Sequence, residues 1–301
     1  MNLGEALAGA AEALGRPDGT CPVPEGTPYL DATLLLAHVL GVGKATLYAS
    51  LREPADAAAV GGLAELVNRR RSGEPVAYIL GVREFRGLDF TVDARVLVPR
   101  PETEHLVEAV LAALPPPAPG RRPRMHDAFA GSGCVGVAVA AERPDVDVSL
   151  SDASDGALEL CRRNAEAILG RMLPCSRGDV LSSAVGPFDV IAANPPYVSS
   201  GLVDDIELGG RREPRMALDG GPDGLRFYRP LAAQALPLLV AGGTLAVEIG
   251  DEQGPAVAAV FRETGFADVR VLRDLAGLDR VVMGVRAAGT MGGNGSRGGG
   301  A

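Results

Sequence analysis

"MHDAFAGSGCVGVAVAAERPDVDVSLSD", residues 125–152, is the stretch on which the fold turns. Met125 to Ala130 reads as a buried strand, Val135 to Arg143 as an apolar helix, and Val146 to Ser151 as a second strand. Between strand and helix, Gly131, Gly133 and Gly136 satisfy G-x-G-x-x-G. Glycines at such a turn let the backbone approach a ligand, and the helix that follows offers unpaired N–H groups. Asp152 lies 21 residues beyond Gly131, at the end of the second strand, where a carboxylate can bind both ribose hydroxyls. A lone glycine motif is weak; with the acidic residue in place it points to a nucleotide-type cofactor.

Working outward, strand and helix continue to alternate. Further strands are expected at Phe188 to Ala193, Thr244 to Ile249, Val269 to Arg273 and Arg280 to Val285. Helices are expected at Gly156 to Leu169, Leu225 to Val240 and Glu252 to Thr264. That alternation predicts an α/β fold with an open, doubly wound sheet. The last two strands are joined only by "DLAGLD", too short for a helical crossover, and should pair antiparallel.

Upstream the pattern differs. Residues 1–76 read as a small helical domain, with Leu30, Leu34, Leu35 and Val39 at helical spacing and a later helix ending in Arg69, Arg70 and Arg71. Residues 77–100 carry the β-type runs "YILGVREF", "RGLDFTV" and "RVLVP", which suggest a hairpin connector. Residues 101–286 hold the α/β unit, and 287–301 form a Gly-rich tail expected to be flexible.

Composition narrows the classes. Of 301 residues, 47% are hydrophobic, enough for a real core. No apolar run spans a bilayer and the N-terminus has no basic signal region, so a cytoplasmic protein is expected, with no membrane partner. Cys21, Cys134, Cys161 and Cys175 are scattered and the histidines isolated, so no metal site is expected. A net charge of −9 argues against stable nucleic-acid binding, and the runs Arg69 to Arg71 and Arg121-Arg122 read as solvated helix ends or linkers.

Asp127, before the glycine loop, and Asp179, in "RGDV", fit S-adenosylmethionine, which has no phosphate, better than NAD. In "FDVIAANPPYVSS", residues 188–200, an apolar strand stops on Asn194, Pro195, Pro196 and Tyr197. Two prolines stiffen the turn. The Asn194 side-chain oxygen and a proline carbonyl can accept both hydrogens of one NH2 group, and Tyr197 can lie against a flat acceptor. This suits methyl transfer to a planar nitrogen, a carboxamide or an exocyclic base amine, in which alignment can be worth roughly 7 to 11 kcal/mol.

From residue 1 to about 286 the chain resembles the protein-(glutamine-N5) methyltransferases that modify class I peptide-chain release factors. The resemblance rests on "GEPVAYILGVREFRGLDFTVDARVLVPRPETEHLVE", with its "PRPETE" at 99–104. "NPPYV", "REPRMALDGGPDGLRFYR", "GGTLAVEIGDEQ" and "DLAGLDRVVMG" then follow in the family's order. It implies a seven-stranded class I methyltransferase domain, a hairpin connector and a helical domain that helps dock the release factor. It implies that Phe129, Ala130, Gly131, Ser132 and Gly133 form the cofactor loop and that Asp152 binds the ribose. Asp179 and Val180 would lie near the adenine. Asn194 would bridge cofactor and substrate, and Asn194 to Tyr197 would hold the glutamine of a Gly-Gly-Gln loop.

Two departures stand out: "RMHDA" is less apolar than the family's strand, and Phe129 stands where the family usually has glycine. A phenylalanine is tolerated there if its φ is negative, since Gly131 and Gly133 remain; its presence also raises, as alternatives, weaker cofactor binding, a paralogue with another target, or a cofactor-binding protein without activity. The alternative substrate is adenine N6 of DNA or RNA, because "NPPY" serves both kinds of amine.

Overall fold

The computed structural model describes residues 1–15, 27–208 and 212–288. Cys21 and the tail from residue 289 lie outside the described residues. The chain begins with helices α1 (Leu3–Gly15), α2 (Pro28–Leu40), α3 (Lys44–Ala49) and α4 (Ala57–Arg71). Pro28 opens α2 and Gly41, at φ 65°, closes it. Its buried face runs through Ala32, Leu35 and Leu36, while Leu30 is exposed, so the apolar stripe is rotated from the expected one. Asp56 caps α4 by accepting from the Ala59 N–H at 2.6 Å. The arginine run ending α4 is not simply solvated. Arg70 is buried and bonds Asp31 of α2 at 2.8 Å, tying the two helices together.

The connector also departs from expectation at its ends. Tyr78 to Leu80 belongs to a short helix, α5 (Val76–Leu80), started after Pro75 and stopped by Gly81 at φ 72°. A hairpin follows: β1 (Val82–Phe85) pairs antiparallel with β2 (Leu88–Thr91). Arg86 and Gly87 turn it with φ 51° and 72°, the two positive values of a type I′ turn. "RVLVP" forms no strand. The Val96 N–H is taken by Asp93 O in a turn, and the Val98 N–H by the Glu213 carboxylate at 3.2 Å.

The remaining elements are α6 (Glu104–Ala113), β3 (Arg124–Ala128), α7 (Cys134–Glu142), β4 (Asp147–Asp152), α8 (Asp155–Leu169), β5 (Cys175–Arg177) and β6 (Phe188–Ala193). Then come α9 (Ser200–Leu208), α10 (Tyr228–Leu238), β7 (Leu239–Glu248), α11 (Gly254–Thr264), β8 (Phe266–Arg273) and β9 (Asp279–Arg286). One seven-stranded sheet has the order β5-β4-β3-β6-β7-β9-β8. The first five are parallel, and β9 runs antiparallel to both β7 and β8.

The central strand β6 is buried at every residue. Val190 and Ala192 enter the core beneath α6, α7 and α8, while Ile191 and Ala193 enter the core beneath α10 and α11. Period-two alternation thus feeds two apolar cores from one strand. Burying each larger aliphatic side chain contributes about 1.5–3 kcal/mol.

The polar interruption in β3 is matched across the sheet. His126 pairs in register with Ser149, and its ring nitrogens lie 2.9 Å from the hydroxyls of Ser149 and Ser151. Burial pushes its pKa down to about 4, so the ring is neutral and serves packing. Among the described residues no helix is long and apolar enough to cross a membrane.

Candidate active site

Strand order reverses at β3, between β4 and β6, and open α/β sheets bind ligands beyond the carboxyl ends of strands at such a point. A cavity of about 560 Å³ lies there. Phe129, Ala130, Gly131 and Ser132 follow β3, Asp152 ends β4, Asp179 and Val180 follow β5, and Asn194 and Pro196 follow β6; all line the cavity. Gly133, Pro195 and Tyr197 do not line it.

Gly133 instead secures the loop's packing. It sits at φ 82°, and an added Cβ would lie 2.8 Å from Cys161 Sγ. The carboxylates organise the loop from below. Asp127 Oδ2 accepts from Gly136 N–H at 2.8 Å, and Asp152 Oδ2 accepts from Gly131 N–H at 2.9 Å. Asp152 Oδ1 accepts from Ser154 N–H at 2.8 Å. Burial pushes Asp127 up to about 7 and raises Asp152, partly offset by these backbone donors. Asp127 takes from beneath one of the helix-start N–H groups that a pyrophosphate would use, and Asp152 suits ribose hydroxyls, so the donor set fits S-adenosylmethionine better than a dinucleotide.

Phe129 does not meet the condition placed on it. Its φ is +58°, in the left-handed region, because β3 ends at Ala128 and the chain must turn sharply to present Gly131 to Asp152. Its ring packs edge-on against Phe227 at 5.3 Å, which compensates part of the strain. Val180 is also strained, at φ +55°, and faces the same cavity. Left-handed backbone costs a non-glycine residue about 1–2 kcal/mol. Phe129→Gly should therefore be more stable than Phe129→Ala by about 1 kcal/mol, the two sharing the loss of the ring. Thermal melting of both checks this, and an alanine variant as stable as the glycine variant would mean that the turn is not strained.

The opposite wall comes from two segments the sequence could not place. Arg100 and the Val98 N–H both bond Glu213, at 2.5 and 3.2 Å, joining "PRPETE" to "REPRMALDGG". Arg215 lines the cavity and bonds Asp204, Glu207 and Asp219. Gly220 lies against the NPPY turn so closely that a Cβ would sit 2.7 Å from Pro196 O. Gln253 Nε2 donates to Tyr197 O at 3.0 Å, bracing the turn from behind.

Asn194 Nδ2 donates to Thr103 Oγ1 at 3.4 Å, which leaves the amide oxygen as the acceptor available to the cavity. The Tyr197 phenol donates to Glu248 Oε1 at 3.3 Å. Burial and the Glu248 charge push Tyr197 well above the ordinary phenol range, so it stays protonated and cannot act as a base. Thr103, Glu213, Glu248 and Gln253 were not singled out from the sequence. For Glu248 a signal existed: it is an acidic residue closing the apolar strand "TLAVE".

Two family models match the chain: the PrmC N-terminal domain over residues 21–81 and the methyltransferase small domain over residues 105–207. A release factor glutamine methyltransferase of Neisseria gonorrhoeae is 45% identical, over 85% of this chain and 93% of that protein. One from Caulobacter vibrioides is 40% identical, over 86% and 90%. Among solved structures, a methyltransferase from Pyrococcus furiosus superposes with a TM-score of 0.51 at 18% identity, over 68% of this chain and 91% of that one. The hMettl16 catalytic domain gives 0.57 at 13% identity, over 74% and 83%. At such identities the structures speak for the fold alone.

Proposed function

The chain belongs to the release factor glutamine methyltransferases, and from that membership we propose how its residues divide the work. The enzyme transfers a methyl group from S-adenosylmethionine to the side-chain amide nitrogen of a release-factor glutamine. When bound, S-adenosylmethionine supplies an electrophilic methyl group. In our reading the glycine loop and Asp152 hold it, Asp152 at the ribose, with Asp179 and Val180 near the adenine.

The substrate glutamine comes from the Gly-Gly-Gln loop of class I release factors. Asn194 Oδ1 and a proline carbonyl of the NPPY turn accept its two amide hydrogens, which polarises the nitrogen and aims its lone pair. Tyr197 buttresses the turn rather than removing a proton; the methylated amide would be a cation acidic enough to lose its N–H proton to water without a strong base. The helices of residues 1–76 dock the partner, the hairpin of 77–100 connects, and 101–286 carry the chemistry. The enzyme works in the cytoplasm.

One observation carries this reading: Asn194 faces the cavity of the glycine loop with its nitrogen already engaged by Thr103. The basic runs are occupied in ion pairs, Arg70 with Asp31, Arg121 with Asp189 and Arg122 with Asp147, which favours a protein over a phosphate backbone.

Labelled S-adenosylmethionine, offered with a release factor and with unmodified duplex DNA, tests the reading. Label should appear on the release factor and vanish when the Gly-Gly-Gln glutamine is changed to alanine. Label on DNA alone would overturn it.

A further inference from the structure

We propose that Glu248 is a positioning residue that sets the rotation of the Asn194 amide and anchors Tyr197, an inference resting on the glutamine-methylating reading of the site. Glu248 ends β7, beside the carboxyl end of β6, and is 2% exposed. Oε1 accepts from the Tyr197 phenol, and Oε2 is buried without a hydrogen-bond partner among the described residues. The residue's backbone carbonyl accepts from the Tyr228 phenol at 3.0 Å, so the side chain is presented from a fixed point.

A buried carboxyl with one oxygen unsatisfied is costly, and an apolar residue of similar volume would serve the fold alone as well or better. Its surroundings explain its presence. Thr103, in the turn just before α6, and Asn194, just after β6, lie beside it, and with Tyr197 they pull its acidity back toward normal, while burial and Glu102 push it up to about 7. Thr103 Oγ1 accepts from Asn194 Nδ2, and an accepting hydroxyl keeps its own proton to donate. The acceptor on that side is the Glu248 carboxyl, with Oε2 still open.

An asparagine amide has nearly the same shape either way round, so hydrogen bonding alone decides which end meets the substrate. With Thr103 Oγ1 accepting and the Glu248 carboxyl behind it, the inner side offers acceptors, so the NH2 group turns inward and Oδ1 faces the cavity. Reversed, the amide would set an NH2 group against the NH2 group of the substrate, donor against donor. Hydrogen bonds that are long in a ligand-free site tighten when the substrate arrives.

The test is Glu248→Gln in the full-length enzyme, assayed against a full-length release factor, with cofactor affinity measured by calorimetry. Glutamine keeps the volume and places a donor where only acceptors belong. We expect kcat to fall about 10-fold, less than the ~100-fold that a 1 Å misplacement can cost, with KM and cofactor Kd changed by less than about twofold. Thr103→Val, which keeps shape and removes the bridging hydroxyl, should behave alike, and the double variant should be no worse than the poorer single one.

Unchanged kcat in Glu248→Gln, additive losses, or a loss in cofactor Kd as large as that in kcat would overturn the proposal. If Glu248→Gln does not fold, normal kcat in Thr103→Val overturns it by itself. A wild-type enzyme that leaves release factors unlabelled would instead remove the reading beneath it.

Discussion

Asn194→Ala is expected to fold normally and to lose about 100-fold or more in kcat, because one preorganised polar group aimed at the reacting centre is removed. A loss of that size corresponds to about 2.7 kcal/mol of transition-state stabilisation. The fold should tolerate the change. Asn194 is only half-buried, and its bond to Thr103 is long at 3.4 Å. Pro195 and Pro196 keep the turn stiff without it, and Gln253 still braces Tyr197 O. Single-turnover rates at saturating cofactor, beside a thermal melt, separate chemistry from stability. Near-normal turnover would remove Asn194 from the mechanism.

The parts of this molecule legible in its sequence are those where one residue type answers one local demand. "FDVIAA" is apolar at every position but one, which suits a strand buried on both faces, and the glycine motif with Asp152 pointed to the end of the sheet where the cavity lies. What stayed hidden depends on partners distant along the chain. "RVLVP" looks like a strand until Glu213, 115 residues on from Val98, takes the backbone donor a neighbouring strand would have used. The stripe of α2 rotates toward Ala32 and Leu36 because α1 and α4 approach from that side. His126 reads as a defect in β3 until Ser149 and Ser151 are set opposite it. Phe129 shows the limit most sharply: its φ is set by where β3 must end for Gly131 to reach Asp152, not by its own preference.

Asp152→Ala should act on the other half of the reaction, raising the cofactor Kd by about 30- to 100-fold while kcat at saturation changes little. Two losses combine. The ribose loses an ionised acceptor, worth about 1.5–3 kcal/mol, and the N–H groups of Gly131 and Ser154 lose the carboxylate that orders the loop. Calorimetric titration with S-adenosylmethionine reads the sum, and an unchanged Kd would make the ribose assignment wrong. Stability supplies an independent check. Burial raises the folded-state pKa of Asp152 above its unfolded value of 3.8, so the folded protein holds this proton more tightly than the unfolded chain. Wild-type stability therefore falls as pH rises from about 4 through the folded pKa, and Asp152→Ala lacks that slope. Any deficit in Tm that the variant shows in acid should narrow toward neutral pH, where the carboxylate is charged and its desolvation cost is fully present. A gap that widened instead would mean that the backbone donors around Asp152 outweigh its burial.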